Sequence, residues 1–279
     1  MNVLELRRPT MRALAWTALT LVVVLYAIPF VYLLVTSFKT PLETLAVPPT
    51  FFPTHWTVES FTTVWSTHGV PASFINSVTT AVISTLISLV LAVPAAYAVT
   101  RFRTSAGRYF VMLALVTRMV PPVAVGIPLT STISAMHLLD TPTGLALAHV
   151  TISLPLSIWL MSSFFEAVPN ELDEAAKVDG CTRFGALLRV VLPVVSGGMA
   201  VTAIFAFLAS WNEFLFALLL TSIRAQTTPL AIANFQTQFG LDWGSMTALA
   251  TLYSIPVILL TLILQRHIVS GLTLGAVKG

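Results

Sequence analysis

Trp211, Asn212 and Glu213 set an aromatic ring, an amide and a carboxylate side by side inside an otherwise apolar run from about Gly198 to Leu220. Ring faces pack on the C–H groups of a sugar while polar groups bond its hydroxyls, so the trio suits a polyhydroxylated solute on a translocation path. It suits equally a polar contact that holds two membrane helices together. Arg118 is the second ionisable side chain deep in such a run, between Tyr109 and Ala135. A charge placed there is costly and marks either function or a fixed pair. At the helical rise, Arg118 lies ~13 Å and Glu213 ~22 Å from the starts of their runs, a difference of ~9 Å. A direct Arg118–Glu213 pair therefore needs a stretched arginine or shifted span boundaries.

The longest polar segment between two apolar runs is of another kind. Asn170 can cap a helix, and Glu171, Asp173 and Glu174 put negative charge on the positive end of its dipole. Gly180 ends that helix, as the residue that tolerates a left-handed backbone. A second helical run, Arg183 to Val191, is predicted to end against Pro193. Two short helices joined at a glycine make a compact knob, and Ala175 and Ala176 are small enough to let a partner approach closely. On these residues alone, an ordinary helical loop is an equal alternative.

The elements that must position these groups are membrane helices. Of 279 residues 56% are hydrophobic and only 9% charged, and the apolar residues come in long blocks, which excludes a soluble globular protein. A formal charge of +3 is too sparse for a nucleic-acid surface. One cysteine excludes an intrachain disulfide framework and a cysteine-based metal site. No Gly-x-x-x-x-Gly-Lys-[Ser/Thr] loop occurs, so the chain is not expected to bind and split ATP itself. The first apolar run is too long for a removable leader and reads as a span.

Six spans are expected, at about Ala13–Phe38, Phe74–Val99, Tyr109–Ala135, Gly144–Phe165, Gly198–Leu220 and Met246–Leu264. Pro121, Pro122 and Pro128 should kink or break the third. Connectors on one side carry Arg7, Arg8, Arg12, Arg101, Arg103, Arg108, Lys177, Arg183, Arg189, Arg266 and Lys278, and those on the other only Lys39 and Arg224. That asymmetry places both termini and the polar knob in the cytoplasm. The expected organisation is a cytoplasmic arm (1–12) and one all-α membrane domain (13–279), holding the loop 167–193 and a cytoplasmic tail (265–279).

Glu-Ala-Ala, three residues, Gly180, and Leu192-Pro193 beginning twelve residues after that glycine together resemble the coupling loop of permease subunits of ATP-binding-cassette importers. Cys181 departs from the alanine usual there, and Ser196 lies near where proline is common. Met119-Val120-Pro121-Pro122 and Trp211-Asn212-Glu213-Phe214 resemble the third and fifth spans of sugar permeases. The tail resembles the end of permeases of the maltose-transporter type, and the resemblance as a whole covers roughly residues 70–279. It implies a type I importer permease fold in the cell membrane, with no catalytic or metal residues and no cofactor on this chain. ATP and Mg would sit on the partner ATPase.

Residue by residue, the resemblance gives ATPase coupling to Glu174, Ala175, Ala176, Asp179, Gly180, Leu192 and Pro193. It gives a tail contact to Gly271, Leu272, Gly275, Ala276 and Val277, and makes Arg118, Trp211, Asn212 and Glu213 candidates for the substrate path. Implied partners are a second homologous permease, two ATPase subunits, an external solute-binding protein, a sugar or polyol and the lipid bilayer, with no nucleic acid. The alternative is a secondary transporter acting alone on an ion gradient. It needs coupling carboxylates at mid-membrane, and Glu213 is the one acidic candidate well within a span. A signalling or scaffold protein would leave the kinked third span and Arg118 without a purpose.

Overall fold

The structure, a computed structural model, describes residues 9–102, 105–237 and 240–276. The chain divides into two units, residues 1–67 with 232–253 and residues 68–231 with 254–279. In the first unit α1 (Pro9–Thr36) leads into a connector with two short helices, α2 (Pro41–Thr44) and α3 (Glu59–Ser66). Lys39 is buried there, its Nζ donating to the Thr50 carbonyl at 2.5 Å and lying 5.0 Å from the Tyr32 ring. Glu43 accepts from the Thr54 N–H at 2.7 Å, and that bond holds its carboxyl below the ordinary range.

The second unit carries α4 (Val70–Phe102), α5 (Ser105–Thr117), α6 (Pro122–Ala135) and α7 (Pro142–Glu166). The polar knob follows as α8 (Glu171–Val178), α9 (Arg183–Ala186), a π-turn (Leu187–Val191) and α10 (Leu192–Val194). Next come α11 (Ser196–Trp211), α12 (Leu215–Leu220) and α13 (Thr228–Ala233), the last ending just past the unit boundary. A two-stranded antiparallel ribbon, β1 (Gln236–Thr237) and β2 (Gly240–Leu241), precedes α14 (Trp243–Ala276). That ribbon is a small exception to the all-α expectation.

α4, α7 and α11 pack on one another. α4 buries a stripe of small residues, Ser73, Ser77, Ala81, Ser84, Ser88, Ala92 and Ala96, which lets backbones approach where lipid offers no hydrophobic drive between helices. Ser88 and Ser84 meet Ser153 of α7 at 2.7 and 3.4 Å between hydroxyls. Ser153 in turn donates to the His149 carbonyl at 3.0 Å, so each of these three buried serine hydroxyls has a partner. Gly198 lets α11 come close to α7, since a Cβ there would collide with the Phe164 ring.

Four helices are long and apolar enough to cross a membrane, and up to six spans result if each of two bent pairs counts as one. The third expected span is one of the pairs, Tyr109–Thr117 and Pro122–Ala135, which meet at 92°. The predicted break is there, beginning at Arg118. Arg118, Met119 and Val120 donate to carbonyls three residues back, a tight turn that ends where Pro121 and Pro122 have no N–H to give. The fifth expected span departs further, with α11 stopping at Trp211 and α12 restarting at Leu215. The sixth is longer than expected, because the backbone of 265–276, read as a tail, continues α14.

Candidate functional site

α8 presents two unlike faces. Glu174, Ala175, Lys177, Val178 and Asp179 are exposed, while Asp173 and Ala176 are buried three residues apart on the opposite side. Of the two alanines expected to admit a partner, only Ala175 is available from outside. Gly180 stands at φ +84 with open space around it, in the left-handed region expected of it, and joins α8 to α9. The second helix does not end against Pro193. The N–H of Leu192 reaches back five residues to the Leu187 carbonyl, and this π-turn carries the chain through the proline to Val194. Leu192 is partly buried and Pro193 is exposed.

Asn170 precedes α8 but makes no side-chain cap. Its Oδ1 instead accepts from Arg101 Nη1 at 2.9 Å, and that nitrogen also reaches the Val168 carbonyl at 3.1 Å and the Phe165 carbonyl at 3.4 Å. Arg101 Nε forms an ion pair with Asp173 Oδ2 at 2.7 Å, and the Tyr97 hydroxyl donates to Asp173 Oδ1. Asp173 is thus no mere complement to the helix dipole. It closes a buried cluster that fastens α8 to the end of α4 and, through Arg101, to carbonyls at and just past the end of α7. Beneath lie Ala96, Met161, Phe165, Val168, Leu187 and Val191, an apolar core shared by the knob and the helix ends. The sequence held one signal for this cluster, the spacing of four between Tyr97 and Arg101 at the end of a span.

The four path candidates are not brought together as a group. Trp211 is 1% exposed, stacked on Phe207 at 5.5 Å and edge-on to Phe74 at 5.8 Å. Glu213 is nearly buried and ends the break between α11 and α12: its carboxylate accepts from the N–H of Phe216 at 2.9 Å and of Ala217 at 3.2 Å, capping α12. Its basic neighbour is His149, whose Nε2 lies 3.2 Å from Oε2 and whose Nδ1 meets the Ser210 hydroxyl at 2.7 Å. No ion pair joins Glu213 to Arg118. Asn212 is exposed, its Nδ2 donating to the Leu208 carbonyl at 3.0 Å, and Arg118 is exposed at the break of the third span.

Asp140, which the sequence reading passed over, sits at φ +54 in the turn before α7. Its carboxylate accepts the N–H groups of Ser222, Ile223, Arg224 and Ala225 within 3.3 Å, clasping the turn to the segment after α12. Burial opposes its charge, yet the four N–H donors outweigh that and hold the carboxyl well below its ordinary value. The expected tail contacts Gly271, Leu272, Gly275 and Ala276 belong to the last turns of α14, and Val277 lies outside the described residues. Among the described residues, no group of three or more His, Cys, Asp or Glu is placed to hold a metal ion.

Long helices packed through small residues, a helix pair broken at adjacent prolines and a polar two-helix knob between α7 and α11 make up the architecture of a type I importer permease. A solved bacterial ABC transporter involved in import of the acidic polysaccharide alginate shares it, with a TM-score of 0.78 at 19% identity, over 95% of this chain and 98% of that one. Residues 74–274 match the family described as the binding-protein-dependent transport system inner membrane component, and the chain belongs to that family. It is 38% identical to the trehalose transport system permease protein SugB of Mycobacterium tuberculosis, over 96% of this chain and 98% of that protein. It is 35% identical to the trehalose/maltose transport system permease protein MalG of Thermococcus litoralis, over 93% and 94%. The chain is therefore a multi-pass permease subunit, not an enzyme, and ATP hydrolysis resides on a separate subunit.

Proposed function

We propose that this chain is one of two permease subunits of an importer that brings a sugar or related polyol into the cell by alternating access. It crosses the membrane six times with both termini cytoplasmic, as the distribution of basic residues supports. Two copies of an ATPase bind ATP and Mg and drive the cycle, and an external binding protein delivers the solute. The relatives named for trehalose and for trehalose or maltose support the solute class. One observation carries the coupling role: an exposed face of α8 bearing Glu174, Ala175 and Asp179, beside a left-handed turn at Gly180. Ala176, Leu192 and Pro193 shape the knob, and the end of α14 from Gly271 to Ala276, with Val277 after it in sequence, is the contact to the ATPase pair. Arg118 and Asn212 offer exposed polar groups to the path, while Trp211 and Glu213 support it from within. An ion-driven carrier is disfavoured, because Glu213 is already committed to capping α12.

The test is uptake and ATP hydrolysis measured in the same liposomes. Glu174→Lys and Gly180→Val should insert normally yet import little solute per ATP hydrolysed. Normal uptake per ATP in both variants contradicts the coupling role.

A further inference from the structure

We infer that Arg101 is a positioning residue for coupling: through Asp173 it makes the knob move as one body with α4 and α7. The inference rests on the coupling role proposed above, and adds how motion leaves the knob. Arg101 is the penultimate residue of α4, and only 12% of its side chain is exposed, with 6% for Asp173. One guanidinium ties the end of α4 to α8 and to the end of α7. Nε pairs with Asp173 of α8 at 2.7 Å, and Nη1 reaches the Phe165 and Val168 carbonyls at the end of α7 and the Asn170 side chain before α8. Tyr97, one turn earlier on α4, bonds the other oxygen of Asp173 and sets its ring edge against Phe165 at 5.7 Å.

α8 therefore cannot move without either breaking a buried ion pair or carrying α4 and α7 with it. Breaking such a pair leaves a charge without a partner in an apolar setting, so the second course is favoured. The opposite face of α8, with Glu174, Ala175 and Asp179, stays free for the ATPase. Docking and transmission are thus assigned to different faces of one helix, and different substitutions should separate them.

The experiment uses the whole complex in liposomes, with MgATP and the external binding protein purified with its endogenous ligand. Removing Arg101 alone would strand the Asp173 charge and confuse transmission with folding. R101M/D173N removes both charges, so a merely stabilising pair is largely relieved. The double variant should retain its ATPase on purification, while the stimulation of ATP hydrolysis by the binding protein falls about tenfold. Wild-type stimulation in an assembled R101M/D173N complex overturns the inference. Should that variant fail to assemble, Tyr97→Phe decides, since it deletes one hydroxyl. Stimulation about threefold lower at unchanged assembly is expected, and unchanged stimulation overturns the inference. E174K in the same preparation keeps the two proposals apart. If E174K binds ATPase and responds like wild type, the coupling role itself fails. If only E174K is defective, the role stands and the Arg101 inference falls.

Discussion

Asp173 and Glu213 are both carboxylates buried in an apolar chain with a basic side chain close by, yet the hydrogen bonds and ion pair of Asp173 reach a distant helix while the hydrogen bonds of Glu213 stay within the break between α11 and α12. Asp173 takes its partners from α4, 72 and 76 residues away, and makes the knob continuous with two spans. Glu213 takes its hydrogen bonds from the N–H groups three and four residues ahead, and so converts a gap between α11 and α12 into a fixed joint. A charge satisfied locally shapes an element. A charge satisfied at a distance couples elements. The two sites should therefore answer differently to the same kind of substitution.

The largest effect is expected at the local site. Glu213→Ala opens the start of α12, leaving the buried N–H groups of Phe216 and Ala217 without their acceptor, at a cost of about 2–3 kcal/mol. Thermal unfolding of the purified complex in detergent should show a clear drop in Tm, with Glu213→Gln less affected because an oxygen remains for the N–H groups. An unchanged Tm in Glu213→Ala would mean that the gap needs no cap. Gly180→Val is the contrasting case. It places a β-branched residue at a positive φ for about 1–2 kcal/mol, outside any span, so Tm should fall little while uptake falls strongly.

Asp140 sharpens the contrast, since it is satisfied both at a distance and by backbone alone. Asp140→Asn should lower stability by about 1–2 kcal/mol near neutral pH. Because its folded pKa lies below the unfolded value of about 4, its contribution is present above that value and is lost as pH falls toward the folded one. The gap in Tm between the wild type and Asp140→Asn should narrow as pH is lowered from about 6 to about 3. A gap constant with pH would show that the clasp does not depend on the charge. The smallest effect is expected at Ser153→Ala, which loses hydroxyl contacts with Ser84 and Ser88 for about 0.6 kcal/mol.

Much of this organisation is legible in the residues. Apolar runs place the long helices α1, α4 and α7, the paired prolines foretell the break near Arg118, and Gly180 marks its own positive φ. Each of these is a local property of backbone or composition. The break at Asn212–Phe214 is not legible, because no glycine or proline announces it and the carboxylate that stabilises it reads equally well as a polar group on a path. Asp173 in a first helical turn reads as a complement to the dipole, and its burial depends on Arg101, 72 residues away. The clasp at Asp140 needs four consecutive N–H groups from a segment 82 residues on, which no local pattern encodes. The run of helix through Pro193 hides behind an ordinary rule, since a proline ends an α-helix but passes where a π-turn has moved the carbonyl away.

The claim that the knob is the ATPase contact is tested most directly by cross-linking. Cys181 is the only cysteine, so Cys181→Ser gives a clean background for single cysteines along α8. With the complex assembled in membranes and a short bifunctional reagent added, Ala175→Cys should join the ATPase and Ala176→Cys should not. Cross-links absent from every exposed position of α8, in a complex that still imports solute, would contradict the account.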